Sequence, residues 1–387
     1  MSRALPVSSA AADEQALRRA FLSLEPDAMA RFVRRNEPVP ARFLERVRIV
    51  VMLGRPRTCV PNLIAYGLGF SYTLAESSWR TLAGAVLACC IGFAANLHNA
   101  AVELEEDSRN LPGRVWLVAK CGLRRILWFW RALIAAMLIT AFALGAYFSV
   151  FMVLAVVGLH QYSAPPVRSK GRPLLGLWVF AQAVVFPFLF GWTTEPGQML
   201  ETLLAVIGDS LLGRQTVEAV AAHQSLRYLG MWAFLTLMFM AKGAFKNVPD
   251  FEGDREAGVR TSATVFDSQR RAANVAAWAT ISAYLTLNVL VLLGLEAPRC
   301  LLALGWLIPV GMNCLRLVRA ESGRAANTVL RVDMLLSTAF LATLLLIIAP
   351  TRTSVVFVVA AAMVLIGSDV LGVDSRRETD VPVAAPT

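Results

Sequence analysis

Apolar runs of about 20 residues recur along most of this chain, and a helix of that length rises about 30 Å, the thickness of a bilayer's hydrocarbon core. The runs lie at 59–77, 81–101, 125–144, 145–161, 174–193, 228–247, 273–294, 299–318, 330–349 and 353–371. The third and fourth abut, so the count is about nine to ten according to where they break. With 57% hydrophobic and 17% charged residues over 387 positions, a set of soluble domains is excluded. The expected fold class is all-α: a polytopic transmembrane helical bundle.

A net charge of +10 would suggest nucleic acid in a soluble protein. Here the basic residues concentrate in alternate loops. Arg109, Arg114, Lys120, Arg124 and Arg125 follow the second run; Arg168, Lys170 and Arg172 follow the fourth; Arg255, Arg260, Arg270 and Arg271 follow the sixth; Arg319 and Arg324 follow the eighth. The other loops hold few, such as Arg80, Arg299 and Arg352. This is the positive-inside pattern, which places both termini on the cytoplasmic side and makes the bilayer, not nucleic acid, the partner. The six cysteines show no C-x-x-C spacing, so neither disulfides nor a zinc site is expected. A long charged segment precedes the first run, so no secretory leader is expected.

Residues 1–50 form a polar arm broken by Pro6, Pro26, Pro38 and Pro40. Glu14–Leu24 and Ala28–Arg35 can form short amphipathic helices with Leu17, Phe21 and Leu24 on one side, suited to lying on the cytoplasmic leaflet or, alternatively, to regulation or partner binding. The segment 194–227, with Glu195, Glu201, Asp209 and Glu218, reads as an outer loop with an amphipathic helix. Residues 373–387 are polar and Pro/Ala-rich and are expected to be disordered.

Within this apolar frame, Asn99 to Asp107 reads N-A-A-V-E-L-E-E-D. If the helix continues, Asn99, Glu103 and Asp107 at i, i+4 and i+8 are each turned about 40° from the last and form one polar stripe. An ionisable group at membrane depth costs about 2.5–3.5 kcal/mol on insertion scales, which makes such a stripe a functional-site hypothesis. Hard oxygen ligands on one face suit Mg²⁺, which leaves its remaining positions to water or phosphate oxygens. Alone, the stretch also reads as a solvated acidic helix end. A second stretch, K-N-V-P-D-F-E-G-D-R-E-A-G-V-R from Lys246 to Arg260, follows another apolar run and sets Asp250 and Asp254 at i, i+4, with Asn247 a turn earlier. Two acid clusters at the ends of two apolar helices make a site.

Between them lies Y-S-A-P-P-V-R-S-K-G-R, Tyr162 to Arg172, where Pro165-Pro166 stops the helix and turns Arg168, Lys170 and Arg172 toward a nearby anion. Arg55-Pro56-Arg57 precedes the first run, and Arg114 follows the first cluster. Arginine forks and lysine point charges both neutralise phosphate oxygens.

Taken together, N-x-x-x-[DE]-x-x-x-D at Asn99, Glu103 and Asp107, the Y-S-x-P-P loop at Tyr162, and K-N-V-P-D-x-E-G-D-R-x-x-G at Lys246 to Gly258 resemble the UbiA superfamily of intramembrane prenyltransferases. The Arg55-Pro56 pair also fits. The resemblance covers residues 50–350, and the second motif is most similar to homogentisate- and chlorophyll-type members. It implies a transmembrane domain over 51–372 with an inner-face cavity open to lipid. It also implies Mg²⁺ ions bridging an isoprenyl diphosphate to both clusters, with Asn99, Glu103 and Asp107 serving one ion and Asp250 and Asp254 the other. These five are the candidate catalytic and metal-holding residues. Arg55, Arg114, Lys170, Arg168, Tyr162 and Asn247 are the candidate diphosphate contacts. Three positions depart from the family pattern: Ala100 stands where an Asp usually follows the Asn, Glu103 stands where Asp is usual, and Asn247 replaces an Asp.

The layout implies ionisation of an allylic C–O bond to a carbocation in a cavity shielded from water. The aromatic faces of Phe70, Tyr72, Phe180, Phe186, Phe188 or Trp232 can stabilise a cation, and His98 and His160 lie near the motifs. Capture by an aromatic or quinone-precursor ring gives a prenyltransferase. Capture by the chain's own double bonds gives a terpene cyclase, a reading the altered first motif keeps open. A transporter or lipid-binding protein is the reading from another class.

Overall fold

The structure is a computed structural model describing residues 7–36, 39–73, 75–194 and 219–373, with backbone alone at 7–13 and 219–224. The acidic segment expected as an outer loop falls mostly at 195–218, and the tail expected to be disordered at 374–387; both lie outside the described residues. Every regular element among the described residues is helical. An arm of α1 (Val7–Leu22), α2 (Pro26–Arg35) and α3 (Phe43–Gly54) leads into α4 (Val60–Phe70), α5 (Trp79–Val102), α6 (Leu104–Asn110) and α7 (Pro112–Cys121). Then come α8 (Leu123–Leu144), α9 (Ala146–Ser163), α10 (Pro173–Thr193), α11 (Ala219–Asn247), α12 (Phe251–Glu256), α13 (Gln269–Leu285) and α14 (Leu287–Leu292). A 3-10 segment, Pro298–Trp306, leads into α15 (Leu307–Val318), followed by α16 (Gly323–Ile348) and α17 (Arg352–Val370).

Among the described residues nine helical stretches are long and apolar enough to cross a membrane, and the chain is an integral, multi-pass membrane protein. The abutting third and fourth runs separate at Gly145, whose φ of +140° ends α8 and starts α9. A residue with a Cβ adopts that φ only under strain.

The first run departs from expectation. Where one continuous helix over 59–77 was expected, a 3-10 turn, Pro56–Cys59, runs directly into an 11-residue helix, α4, that stops at Phe70 with every residue buried. The stretch pairs antiparallel along α5, from Thr58 at Asn96 through Asn62 at Ala88 to Tyr66 at Thr81, and so crosses with that helix. Its last turn is closed by Ser71 and Thr73, whose hydroxyls donate to the Leu68 and Phe70 carbonyls at 2.7 and 2.8 Å. α4 is an interior strut packed by α5, α10, α16 and α17. Its approach to α10 is backbone against backbone. A Cβ on Gly69 would lie 1.9 Å from the Phe188 carbonyl oxygen, and one on Gly191 would lie 2.0 Å from that of Tyr66. The Tyr66 hydroxyl donates to the Thr81 carbonyl at 2.9 Å and ties α4 to α5 as well.

The arm folds back on its own chain. Phe21, Met29, Ala30 and Val33 are buried with Trp116 and Val118 of α7 in a second apolar cluster outside the membrane core. The Phe21 and Trp116 rings lie 5.3 Å apart between centroids. Lys120 pairs with both Glu14 and Glu45, and Asp27 pairs with Arg109 of α6 at 2.9 Å. Leu17 and Leu24, expected on the same apolar side as Phe21, remain exposed.

The α4–α10 contact predicts that Gly69→Ala or Gly191→Ala destabilises the bundle by at least about 1–3 kcal/mol, the range for overpacking. Gly311→Ala, where an added Cβ meets nothing within 4 Å, is expected to leave stability unchanged or slightly higher. Thermal unfolding in detergent separates the two.

Candidate active site

The first acid cluster sits at a break. α5 ends at Val102, Glu103 has φ −90° and ψ +35°, and α6 begins at Leu104. The continuous helix expected through Asp107 is therefore kinked at its central carboxylate. The i to i−4 register nevertheless persists on both sides, with Glu103 N donating to Asn99 O at 2.9 Å and Asp107 N to Glu103 O at 2.8 Å. The kink turns Glu106 and Asp107 inward, where both are buried. The second cluster forms where Pro249 ends the α11 register and α12 restarts it. Asp250 precedes α12, and Asp254 lies within it and is fully buried. α12 packs on α6 so closely that a Cβ on Gly253 would lie 2.0 Å from the Asn110 side-chain oxygen, while the Asn110 amide donates to Asp254 at 3.4 Å.

Lys170 joins the clusters. Its Nζ lies 3.2 Å from Glu103 Oε2 and 3.7 Å from Asp254 Oδ1. The loop that carries it leaves α9 through Pro165-Pro166 and is pinned to α10 at Gly176, where an added Cβ would lie 2.7 Å from the Ser169 carbonyl. Burial disfavours the lysine's charge, but Glu103 and Asp254 outweigh it and raise its pKa well above the ordinary value. Burial likewise opposes charge on Glu103, yet Lys170, Lys246 and the Ser163 hydroxyl hold its carboxyl down to about 2. Asp254 goes the other way: burial lifts it to about 7, with Lys170 pulling against the rise and Asp250 adding to it. Its Oδ2 has no hydrogen-bond partner among the described residues.

The remaining candidates divide by place. Arg114 is committed to Asp107 at 2.8 Å and to the Asn96 carbonyl at 2.8 Å, so it braces the first cluster. Arg168 pairs with Glu106, and Asn247 donates to Ser262 at 2.9 Å. Arg55, Asn99 and Tyr162 line a cavity of about 200 Å³ that runs into the bundle between α4, α5, α9, α10, α11 and α16. Phe180 and Phe186 also line it; Phe70, Tyr72, Phe188 and Trp232 do not. His98 and His160 contact each other at 3.1 Å beside Trp130, away from the cavity wall.

The sequence profile of the UbiA prenyltransferase family matches residues 62–344. The chain belongs to this family. Its members are intramembrane prenyltransferases, and this chain is an enzyme of that class. The transporter reading falls away. A lycopene elongase/hydratase of Corynebacterium glutamicum is 26% identical over 235 residues, spanning 59% of this chain and 72% of that protein. A UbiA homologue from Archaeoglobus fulgidus, solved with GPP and Mg²⁺ bound, superposes with a TM-score of 0.54 at 18% identity, covering 80% of this chain and 99% of that one. A structure of digeranylgeranylglyceryl phosphate synthase gives 0.50 at 16% identity over 82% and 99%. At these identities the structures speak for the fold.

Against the UbiA motifs, three groups of polar residues were not picked out by sequence reasoning. Lys246 lines the cavity and acts on Glu103 and Asp254; it was quoted in the motif but given no role. Asn96 donates to Gly54 O at 3.3 Å and Thr58 Oγ1 at 2.7 Å, bracing the backbone turn that presents Arg55. Lys242 and Asp333 form a buried pair at 2.7 Å on the cavity wall. Each is a polar or charged residue inside an apolar run, a signal visible in the sequence.

Among the described residues no three of His, Cys, Asp and Glu group closely enough to hold a metal ion by themselves. The donor set, hard oxygens with Asp254 Oδ2 unpartnered, suits Mg²⁺ only if a phosphate ligand completes the shell.

Lys170→Met leaves two buried carboxylates without their cation and is expected to cost about 3–5 kcal/mol, as for a broken buried pair. Arg34→Ala removes a pair to Glu105 in which both side chains are about half exposed, and is expected to cost at most about 1 kcal/mol. Denaturation in nanodiscs measures both.

Proposed function

We propose that the enzyme ionises an allylic isoprenyl diphosphate at the Lys170 bridge and transfers the prenyl group to an aromatic or quinone-precursor ring. The observation that carries this is the lysine lodged between two carboxylate clusters, beside a cavity that Asn99 and Lys246 line. A cation poised between acids is what a diphosphate needs in order to leave. Asn99, Glu103 and Asp107 on one side and Asp250 and Asp254 on the other would hold Mg²⁺, which would supply further positive charge to the departing diphosphate. The Archaeoglobus homologue, solved with Mg²⁺ and GPP, supports the use of Mg²⁺ by this fold.

The chain's own residues do the rest. Lys170, Lys246 and Arg55 face the phosphate oxygens, and charge-assisted contacts of this kind strengthen as negative charge develops on the leaving group. Arg114 keeps Asp107 in place. Ile91, Val184, Leu159 and Phe239 exclude water from the cavity, and the Phe180 and Phe186 faces offer the allylic cation up to about 2 kcal/mol each. The loops bearing these residues and both termini are assigned to the cytoplasmic side.

The departures at Ala100 and Glu103 favour a second reading, cyclisation of the prenyl chain without an acceptor. Membranes containing the protein, given Mg²⁺ and labelled geranyl, farnesyl or geranylgeranyl diphosphate, separate the two. Transfer predicts negligible consumption until an aromatic acceptor is added. Cyclic hydrocarbons from donor alone would establish the cyclase. Either activity should fall by about 10²–10³-fold in Asp107→Ala and Asp254→Ala, the scale for removing preorganised charge stabilisation. Full activity in both variants would sink the diphosphate chemistry.

A further inference from the structure

The cavity has a second polar station that the diphosphate chemistry does not use. Lys242 on α11 and Asp333 on α16 are 5% and 2% exposed, bonded at 2.7 Å, and both line the cavity. Ser337, one turn from Asp333, donates to its carbonyl at 2.7 Å and lines the same wall. Gln182 on α10 also lines it, is 6% exposed, and its side-chain nitrogen has no hydrogen-bond partner among the described residues. Around them the wall is apolar, with Val184, Phe186, Phe239, Leu330 and Met334. Lys242 precedes Lys246 by four residues, so the station lies about 6 Å along α11 from the lysine that faces the acid clusters.

An ion pair serving only to join α11 and α16 could be replaced by apolar side chains with little loss, and it would not need to face a cavity. Nor would it account for Gln182. A buried donor without a partner is costly in an apolar wall unless a ligand meets it. A wholly hydrocarbon occupant would leave that donor unmet and would lie against a desolvated carboxylate.

We propose that Gln182 and the Lys242–Asp333 pair form the acceptor subsite and recognise an uncharged oxygen, a hydroxyl or a carbonyl, on a ring. Gln182 donates to the oxygen; Asp333, paired with Lys242, accepts from a hydroxyl. The pair is already neutral as a unit, so a carboxylate-bearing acceptor gains no free cation here. These are specificity residues, and the role rests on the transferase reading above.

The test uses full-length protein in nanodiscs with a non-reactive thiolo analogue of geranyl diphosphate, and three probes: 1,4-dihydroxynaphthalene, 1,4-naphthoquinone and naphthalene. In the wild type the diol is expected to bind at least about tenfold more tightly than naphthalene, the scale of one or two buried hydrogen bonds. Gln182→Leu should weaken both diol and quinone by about tenfold. The double variant Lys242→Met/Asp333→Leu, which leaves no unpaired charge, should weaken the diol by a similar factor and leave the quinone within about twofold. Naphthalene and donor-analogue binding should not change in either.

Equal affinity of the wild type for diol and naphthalene, or unchanged diol binding in both variants, overturns the subsite. Diphosphate release from geranyl, farnesyl and geranylgeranyl diphosphate is followed in parallel samples that lack the analogue and contain Mg²⁺ and the diol as aromatic acceptor. Wild type that releases none overturns the transferase reading and the acceptor role with it. Intact release with no probe preference overturns the subsite alone.

Discussion

Lys170 is the charge on which the site depends. Glu103 comes from the end of α5, Asp254 from α12, and the lysine from the loop between α9 and α10, so three distant parts of the chain converge on one ammonium. Without it, carboxylates from two helices would face each other in a buried site with no cation between them, where like charges repel. With it, repulsion becomes attraction and the two acid-bearing helices are drawn together before any substrate arrives. The same cation is then available to a diphosphate. One side chain therefore assembles the site and, on the proposed reading, also binds the diphosphate, and the loop that carries it is fixed to α10 by close packing at Gly176.

The frame that permits this is built from the inside out. α4, wholly buried, lets α5, α10, α16 and α17 gather round a strut rather than around a void. It crosses α10 at glycines, so the contact is between backbones and has little freedom to slide. At the acid-cluster end a separate apolar cluster joins the arm to α7, and the ion pairs of Asp27 and Arg34 with Arg109 and Glu105 hold the arm on α6. The helix bearing Glu106 and Asp107 is thus packed between the membrane core and the arm, and its kink at Glu103 is supported from both sides.

The acid clusters were legible because charge is rare in apolar runs and the four-residue spacing survives a kink: the register through Glu103 is intact although the helix is not. The helical class and the apolar runs were legible for the same reason, since length and hydropathy fix a span. What was not legible depended on the third dimension. The run at 59–77 reads like the other spans, and only the fold shows α4 buried on every side and set against α10 at Gly69. Arg114 and Lys170 looked alike as loop cations; only packing shows that the first braces Asp107 and the second bridges two clusters. Lys242 and Asp333 are charges in separate runs, 91 positions apart, and nothing in either run names its partner.

Depth orders the chemistry of the cavity. Lys246 and Lys242 lie one turn apart on α11 and both reach the cavity, yet they meet opposite company: the first acts on Glu103 and Asp254, the second is neutralised by Asp333. At the acid-cluster end the positive charge is shared among several carboxylates and is open to rearrangement when an anion arrives. Deeper, the pair is one-to-one, so on the proposed reading the diphosphate is confined to the first station. On that reading a carbocation formed between the stations would meet aromatic faces and a paired polar wall, with the departed diphosphate held behind it by cations. Charge would then separate along the cavity axis, the leaving group toward the acid clusters and the electrophile toward the interior, and it is the unequal pairing of two lysines on one helix face that gives that axis its direction.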